Sequence, residues 1–247
     1  MNWMIALLAA VVGYLVGSIS FARIVTGIVA PGESITGIDF DEESTRQAVS
    51  AISGTAVSIK LGPKWGGLTA VFDILKAAVP ALVFRLVYPE VPYFLISAGA
   101  GLLGHNWPLY YGFKGGMGLS PIYGGFLVLD FWGTLICALA SMVLGVVVLR
   151  MIFVTFMGGL WLMIPWVWIR TGNLAYVAYV MFVNVVFFLQ ILPEIRTTIH
   201  RRRTGEAGDF SDSMDVTPMT KMIKRMAVKA GIMPEDEEPA SVADLPS

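Results

Sequence analysis

The chain has 247 residues, of which 56% are hydrophobic and only 14% charged, with a formal net charge of -1 and a mean hydropathy of +0.71. Such a composition excludes an ordinary soluble domain, and the length leaves room for one helical membrane bundle with short loops but not for a second folded domain. The single cysteine, Cys137, excludes an internal disulfide or a cysteine-built metal site.

In chain order, apolar runs fall at roughly 3 to 30, 67 to 88, 92 to 112, 119 to 130, 132 to 149, 151 to 169 and 174 to 192. Helices are expected throughout, because open strands leave backbone groups unpaired in lipid. The first run has no basic leader segment and no convincing cleavage site, and it reads as a retained membrane helix. The fourth run is about a dozen residues, short of the roughly 20 that span a bilayer, so it reads as a half-helix, a tilted pair with its successor or a re-entrant segment. The expectation is an all-α integral membrane protein, a bundle of about seven transmembrane helices including one short or re-entrant segment, over residues 1–204.

Basic residues at Lys60, Lys64, Lys114, Arg150, Arg196 and Arg201 to Arg203 fall on one side if the short run crosses. The positive-inside rule makes that side cytoplasmic, with the N-terminus outside and the C-terminus inside. Arg85 and Arg170 fall on the other face. Residues 31 to 58 form the longest internal loop, polar and acidic, with room for a short helix near Glu42 to Ala51. Residues 205–247 read as a cytoplasmic tail. Met219, Met222, Ile223 and Met226 recur there at helical spacing among Lys221, Lys224, Arg225 and Lys229, a pattern suited to an anionic membrane surface, before a disordered acidic end.

Two polar constellations interrupt the apolar pattern. The first is "GHNWPLYYGFKGGMG", residues 104 to 118. Glycine has no side chain to block approach and tolerates positive φ, so Gly115, Gly116 and Gly118 can aim backbone N–H groups at one oxyanion while Lys114 adds a full charge. Phosphate is the natural anion; a plain glycine hinge fits the same pattern. His105 and Asn106 either face the same cavity or satisfy each other and a backbone carbonyl. The second is Asp73 and Lys76, ionisable groups three residues apart inside an apolar run, which share a helix face and either neutralise each other structurally or line a polar cavity. Ser18 and Ser20 in "VGSISF" read as small residues for close packing, and Asp130 beside Trp132 as an outer-surface anchor.

These residues resemble a family. The stretch 104 to 118 is similar to the glycine-rich motif of the acyl-phosphate:glycerol-3-phosphate acyltransferases, the PlsY family, in which phenylalanine precedes "KGGKG". "GSISF" at 17 to 21, "LGPKWG" at 61 to 66, "DILKA" at 73 to 77 and "EIRTTIHRRRTGE" at 194 to 206 resemble further family motifs in the family's order. The resemblance implies a bacterial-type, multi-pass cytoplasmic membrane enzyme that moves a fatty acyl group from acyl phosphate to glycerol 3-phosphate. The product would be 1-acyl-glycerol 3-phosphate for phospholipid synthesis.

It also implies membrane lipids as surroundings, a partner enzyme supplying acyl phosphate, no nucleic acid, and neither metal nor dissociable cofactor. The site it implies has Ser53, Lys60 and His105 as catalytic residues and Lys114, Gly115, Gly116, Gly118 and Asn106 around the substrate phosphate, with Asp73 and Lys76 as a supporting polar pair. The chain departs from the family pattern in three places. Only Ser53, Gly54 and Thr55 resemble the first cytoplasmic motif, where Lys60 is the nearest counterpart of an arginine. Met117 replaces the second lysine of the glycine loop, and Ile191 and Glu194 stand where the family has histidine and asparagine. The alternative these departures raise is a non-catalytic or altered-substrate protein on the same scaffold, binding a lipid phosphate or a protein partner.

Overall fold

A computed structural model describes residues 1–33, 35, 52–204, 218–229 and 231. The helix expected near Glu42 to Ala51 and the acidic end of the tail lie outside the described residues. Every apolar run falls in a helical segment: α1 (Trp3–Gly17) and α2 (Phe21–Val29), α4 (Pro63–Val87) after the short α3 (Gly54–Leu61), α5 (Tyr93–Asn106), α6 (Leu119–Leu129), α7 (Phe131–Val143), α8 (Ile152–Thr171) and α9 (Leu174–Thr204). Among the described residues, four stretches are long and apolar enough to cross a membrane: Trp3–Val29, Phe131–Val148, Phe153–Thr171 and Leu174–Leu192.

The first run is not one straight helix. Ser18 ends α1 by donating its hydroxyl to Tyr14 O at 2.8 Å, and Ser20 is extended as it opens α2. The break leaves the carbonyl of Ile19 without an intrahelical partner, a cost the fold must meet elsewhere. The expected packing role of this stretch is also present. Side chains on Gly13, Gly17 or Gly104 would collide with the backbones of Ser97, Gly101 and Tyr14, so α1 and α5 meet along a seam of small residues.

Two poles organise the bundle. At one, the backbone N–H of Asn2 donates to Tyr93 Oη, Arg85 Nη1 to Leu129 O at 3.2 Å, and Arg170 pairs with Asp130 at 3.1 Å. At the other lie the end of α1, the end of α5 and the glycine loop. Helix α6 starts beside that loop and ends at Asp130, so it links the two poles. At 11 residues it extends only about 17 Å, against a hydrocarbon core of about 30 Å. Its burial makes this tolerable: Ile122 and Phe126 are fully enclosed, and Gly124 lies against the backbone of Ile74.

After α7 the chain loosens into a π-helical turn, Leu144–Val148. The tail helix α10 (Pro218–Lys229) docks there, with Ala227 buried on Val146 and Ile223 and Val228 packed around them. Met222 and Met226, expected on the same apolar face, stay exposed. The helix therefore splits its apolar residues between the bundle and its surroundings.

Candidate functional site

Asp73 and Lys76 form an ion pair, Nζ to Oδ1 2.7 Å, with side chains 3% and 2% exposed respectively. Burial this deep demands further partners, and the helix break supplies one: Lys76 Nζ donates to Ile19 O at 2.6 Å. The orphaned carbonyl of the first membrane run and the buried cation of α4 thus satisfy each other. His105, from the last turn of α5, turns Nδ1 towards Asp73 Oδ1 at 3.7 Å. Three ionisable side chains from two helices share one small space, and the pair lines a cavity as well as neutralising itself.

The glycine loop closes over this cluster. Gly116 N donates to His105 O at 3.2 Å. A Cβ on Gly116 would collide with His105 Nε2 and stand 2.9 Å from Ile52 O, and one on Gly115 would collide with His105 O. Only glycine lets the backbone lie this close to the histidine ring. The loop turns through Gly112 and Phe113, both left-handed at φ 60° and 61°, and leaves through Gly118 at φ 93°. A bulky residue held in that region stores about 1–2 kcal/mol of strain.

Beneath the loop is a cavity of about 10 Å³, lined among others by Ser18, Ile52, Asp73, Lys76, His105 and Gly116. That is room for a single water.

Asn106 does not pair with His105. Both atoms of its side-chain amide are buried without a hydrogen bond, and Gly118 packs so closely that a Cβ there would lie 2.5 Å from Asn106 Oδ1. Buried polar groups are almost always satisfied, so this orphan amide beside the glycine loop stands out.

Of the sequence-derived candidates, Asp73, Lys76, His105, Gly115 and Gly116 come together around the cavity, with Asn106 and Gly118 packed against each other beside it. Lys114 is exposed, on the outside of the loop. Ser53 and Lys60 do not line the cavity: Ser53 caps α3, accepting from Ala56 N at 3.4 Å, and Lys60 pairs with Glu33 at 2.8 Å. Ile52, immediately before Ser53, is the residue of that segment which reaches the wall. Met117 packs against the hydrophobic core. Among the described residues, no group of three or more His, Cys, Asp or Glu side chains gathers to hold a metal ion.

One residue escaped the sequence reading. Arg23 on α2 donates Nη2 to Lys114 O at 2.9 Å and lies over the Tyr111 ring, 4.3 Å from its centroid, while its Nη1 is buried with no hydrogen-bond partner. It brings a second cation to the glycine loop, at Lys114 rather than at Met117. Its signal was available, since Arg23 is the lone charged residue within the first apolar run, 3 to 30.

The family model described as glycerol-3-phosphate acyltransferase matches residues 7–205. A glycerol-3-phosphate acyltransferase of Anaeromyxobacter dehalogenans is 39% identical over 134 residues, covering 53% of this chain and 61% of the relative. One from Shouchella clausii is 34% identical over 125 residues, covering 49% and 55%. The matched part of the chain thus spans little more than half the length of these curated relatives.

The crystal structure of PlsY, an integral membrane glycerol 3-phosphate acyltransferase, in its glycerol 3-phosphate form superposes with a TM-score of 0.67 at 21% identity, over 83% of this chain and 94% of that one. Its lysophosphatidic acid form gives 0.65 at 20%. The shared fold is that of a multi-pass membrane protein. With a family model matched along most of its length and the motif order intact, the chain belongs to the glycerol-3-phosphate acyltransferase family.

Proposed function

We propose that this protein transfers a fatty acyl group from acyl phosphate to the 1-hydroxyl of glycerol 3-phosphate, giving 1-acyl-glycerol 3-phosphate and inorganic phosphate. The observation that carries the reading is the close seating of Gly115 and Gly116 on His105, whose Nδ1 faces Asp73 while Nε2 faces the loop backbone. The backbone N–H groups of Gly115 and Gly118 would bind phosphate, joined by that of Gly116 once it leaves His105 O, while Arg23 and Lys114 supply charge and the orphan amide of Asn106 a further donor.

In the reaction the acceptor hydroxyl oxygen attacks the acyl carbon and the bond from that carbon to the phosphate oxygen breaks. Phosphate leaves with the electron pair, and His105 Nε2 takes the hydroxyl proton. Asp73 orients the ring through Nδ1, and Lys76 holds Asp73 in place. The acyl phosphate is already activated, so positioning and electrostatic stabilisation carry most of the rate. The water-sized cavity admits a phosphate only as the loop lifts, and the left-handed residues at 112, 113 and 118 are the points about which it would turn. Ser53 and Lys60 have no step in this scheme.

The glycine-loop pole faces the cytoplasm in this reading, because Lys60, Lys64, Lys114 and Arg150 gather at that end. The N-terminus is then outside and the tail inside. Acyl phosphate would come from a partner enzyme working at that surface. The expected result is phosphate release from acyl phosphate by the purified full chain in lipid only when glycerol 3-phosphate is present, greatly weakened by Lys114→Ala and Gly116→Leu. Absence of turnover with glycerol 3-phosphate and with a panel of other polyols, while a known family enzyme works in the same assay, would refute it.

A further inference from the structure

The pole opposite the glycine loop holds a second cavity, about 340 Å³, between the ends of α4, α6 and α8 and the starts of α7 and α9. Its wall includes Arg85, Arg170, Asp130, Thr171, Trp132 and Tyr176. Asp130 already has three partners: Oδ1 accepts from Gly133 N at 3.0 Å, Oδ2 accepts from Trp166 Nε1 at 3.0 Å and pairs with Arg170 Nε at 3.1 Å. Arg170 uses only its Nε there, with its side chain 52% exposed. Arg85 donates one Nη1 to Leu129 O and stacks on Phe94, 5.3 Å from the ring centroid. Two guanidinium groups therefore line one cavity with a single carboxylate that already has three partners, and each retains donors with no hydrogen-bond partner among the described residues.

These are also the two arginines that the positive-inside pattern leaves on the wrong face. Phe131 and Trp132, 52% and 63% exposed, flank the opening, as aromatic side chains do at the level of lipid head groups. We propose that this cavity binds a phosphate ester, the head group of an anionic phospholipid in the adjacent leaflet, between Arg85 and Arg170. The planar guanidinium fork matches phosphate oxygens in pairs, and the volume suits a small polar head. The site is separate from the glycine loop and does not depend on the reaction there.

Native mass spectrometry of the full chain released from nanodiscs tests this, with phosphatidylglycerol and phosphatidylcholine as probes. Wild-type protein is expected to retain phosphatidylglycerol in preference to phosphatidylcholine, and Arg85→Gln/Arg170→Gln to weaken that retention roughly tenfold or more. Arg85→Lys should rescue part of the loss, and Lys114→Ala should leave retention unchanged. A second arm adds inorganic phosphate to protein in neutral detergent. Thermal protection that disappears in the double variant, without lipid retention, would assign the same phosphate chemistry to a soluble ester and overturn the lipid assignment. If the double variant does not fold, Arg85→Gln alone carries the test, because Asp130 keeps its three partners. Equal retention of phosphatidylglycerol by wild type and the folded variants, or no preference over phosphatidylcholine, overturns the proposal.

Discussion

Replacing Lys76 by methionine removes the cation from a carboxylate that is 3% exposed and 2.7 Å away. At that separation the Coulomb attraction is about 6 kcal/mol for an effective dielectric constant of 20, before the cost of desolvating both groups. Breaking one side of such a buried pair costs about 3–5 kcal/mol, because the remaining charge is stranded. The Ile19 carbonyl loses its donor as well. Adding Asp73→Asn to Lys76→Met removes the stranded charge and leaves chiefly that carbonyl, at about 1–3 kcal/mol. The double variant should therefore be more stable than Lys76→Met alone.

Thermal unfolding in detergent can be followed with a thiol-reactive fluorophore, since Cys137 is the sole cysteine and is buried. For a chain of this size each kcal/mol moves Tm by about 2–4 °C, so the single variant should lose about 6–20 °C and the double about 2–12 °C. A double variant whose loss equals the sum of Lys76→Met and Asp73→Asn would refute the coupling and with it the account of how α4 is tied to the break between α1 and α2.

Gly116→Ala drives a Cβ into His105 Nε2, an overpacking of about 1–3 kcal/mol that should lower kcat/KM about 5- to 150-fold. Gly67→Ala, where a Cβ meets nothing within 4 Å, should leave steady-state kinetics unchanged. Arg23→Ala should raise the KM for glycerol 3-phosphate about 10- to 100-fold, the worth of one charge-assisted hydrogen bond, with Arg23→Lys intermediate; an unchanged KM would remove Arg23 from the phosphate site. Gly17→Val pushes apart the α1 and α5 backbones at Gly101. It should lower the Cys137-labelling midpoint sharply, whereas Gly27→Ala, in open space, should not.

The helical elements were legible because hydropathy reports burial in lipid and backbone satisfaction permits few alternatives. The spacing of Asp73 and Lys76 was legible for a related reason: three residues on a helix share a face whatever surrounds them. What surrounds them was not. Lys76 meets Ile19 across 57 residues of sequence and Arg23 meets Lys114 across 91, and no local pattern encodes either meeting. The break at Ser18 to Ser20 was hidden for another reason. Its residues are apolar or small enough to sum into one continuous run, while the hydroxyl of Ser18 competes locally for the Tyr14 carbonyl as the helix ends.

That competition bears on the glycine loop more directly than the loop's own lysine pattern does. Met117 faces the core, so a cation there would meet apolar neighbours. A second charge beside Lys114 reaches the loop instead from Arg23 on α2, whose placement depends on the chain stopping at Ser18 and restarting at Ser20. A continuous first helix would leave Ile19 O bonded within the helix, strand Lys76 beside Asp73 without its carbonyl partner, and carry Arg23 along a different line from Lys114. The same three-residue interruption thus stabilises the buried pair beside His105 and brings Arg23 to a glycine loop in which Met117 stands in place of a second lysine.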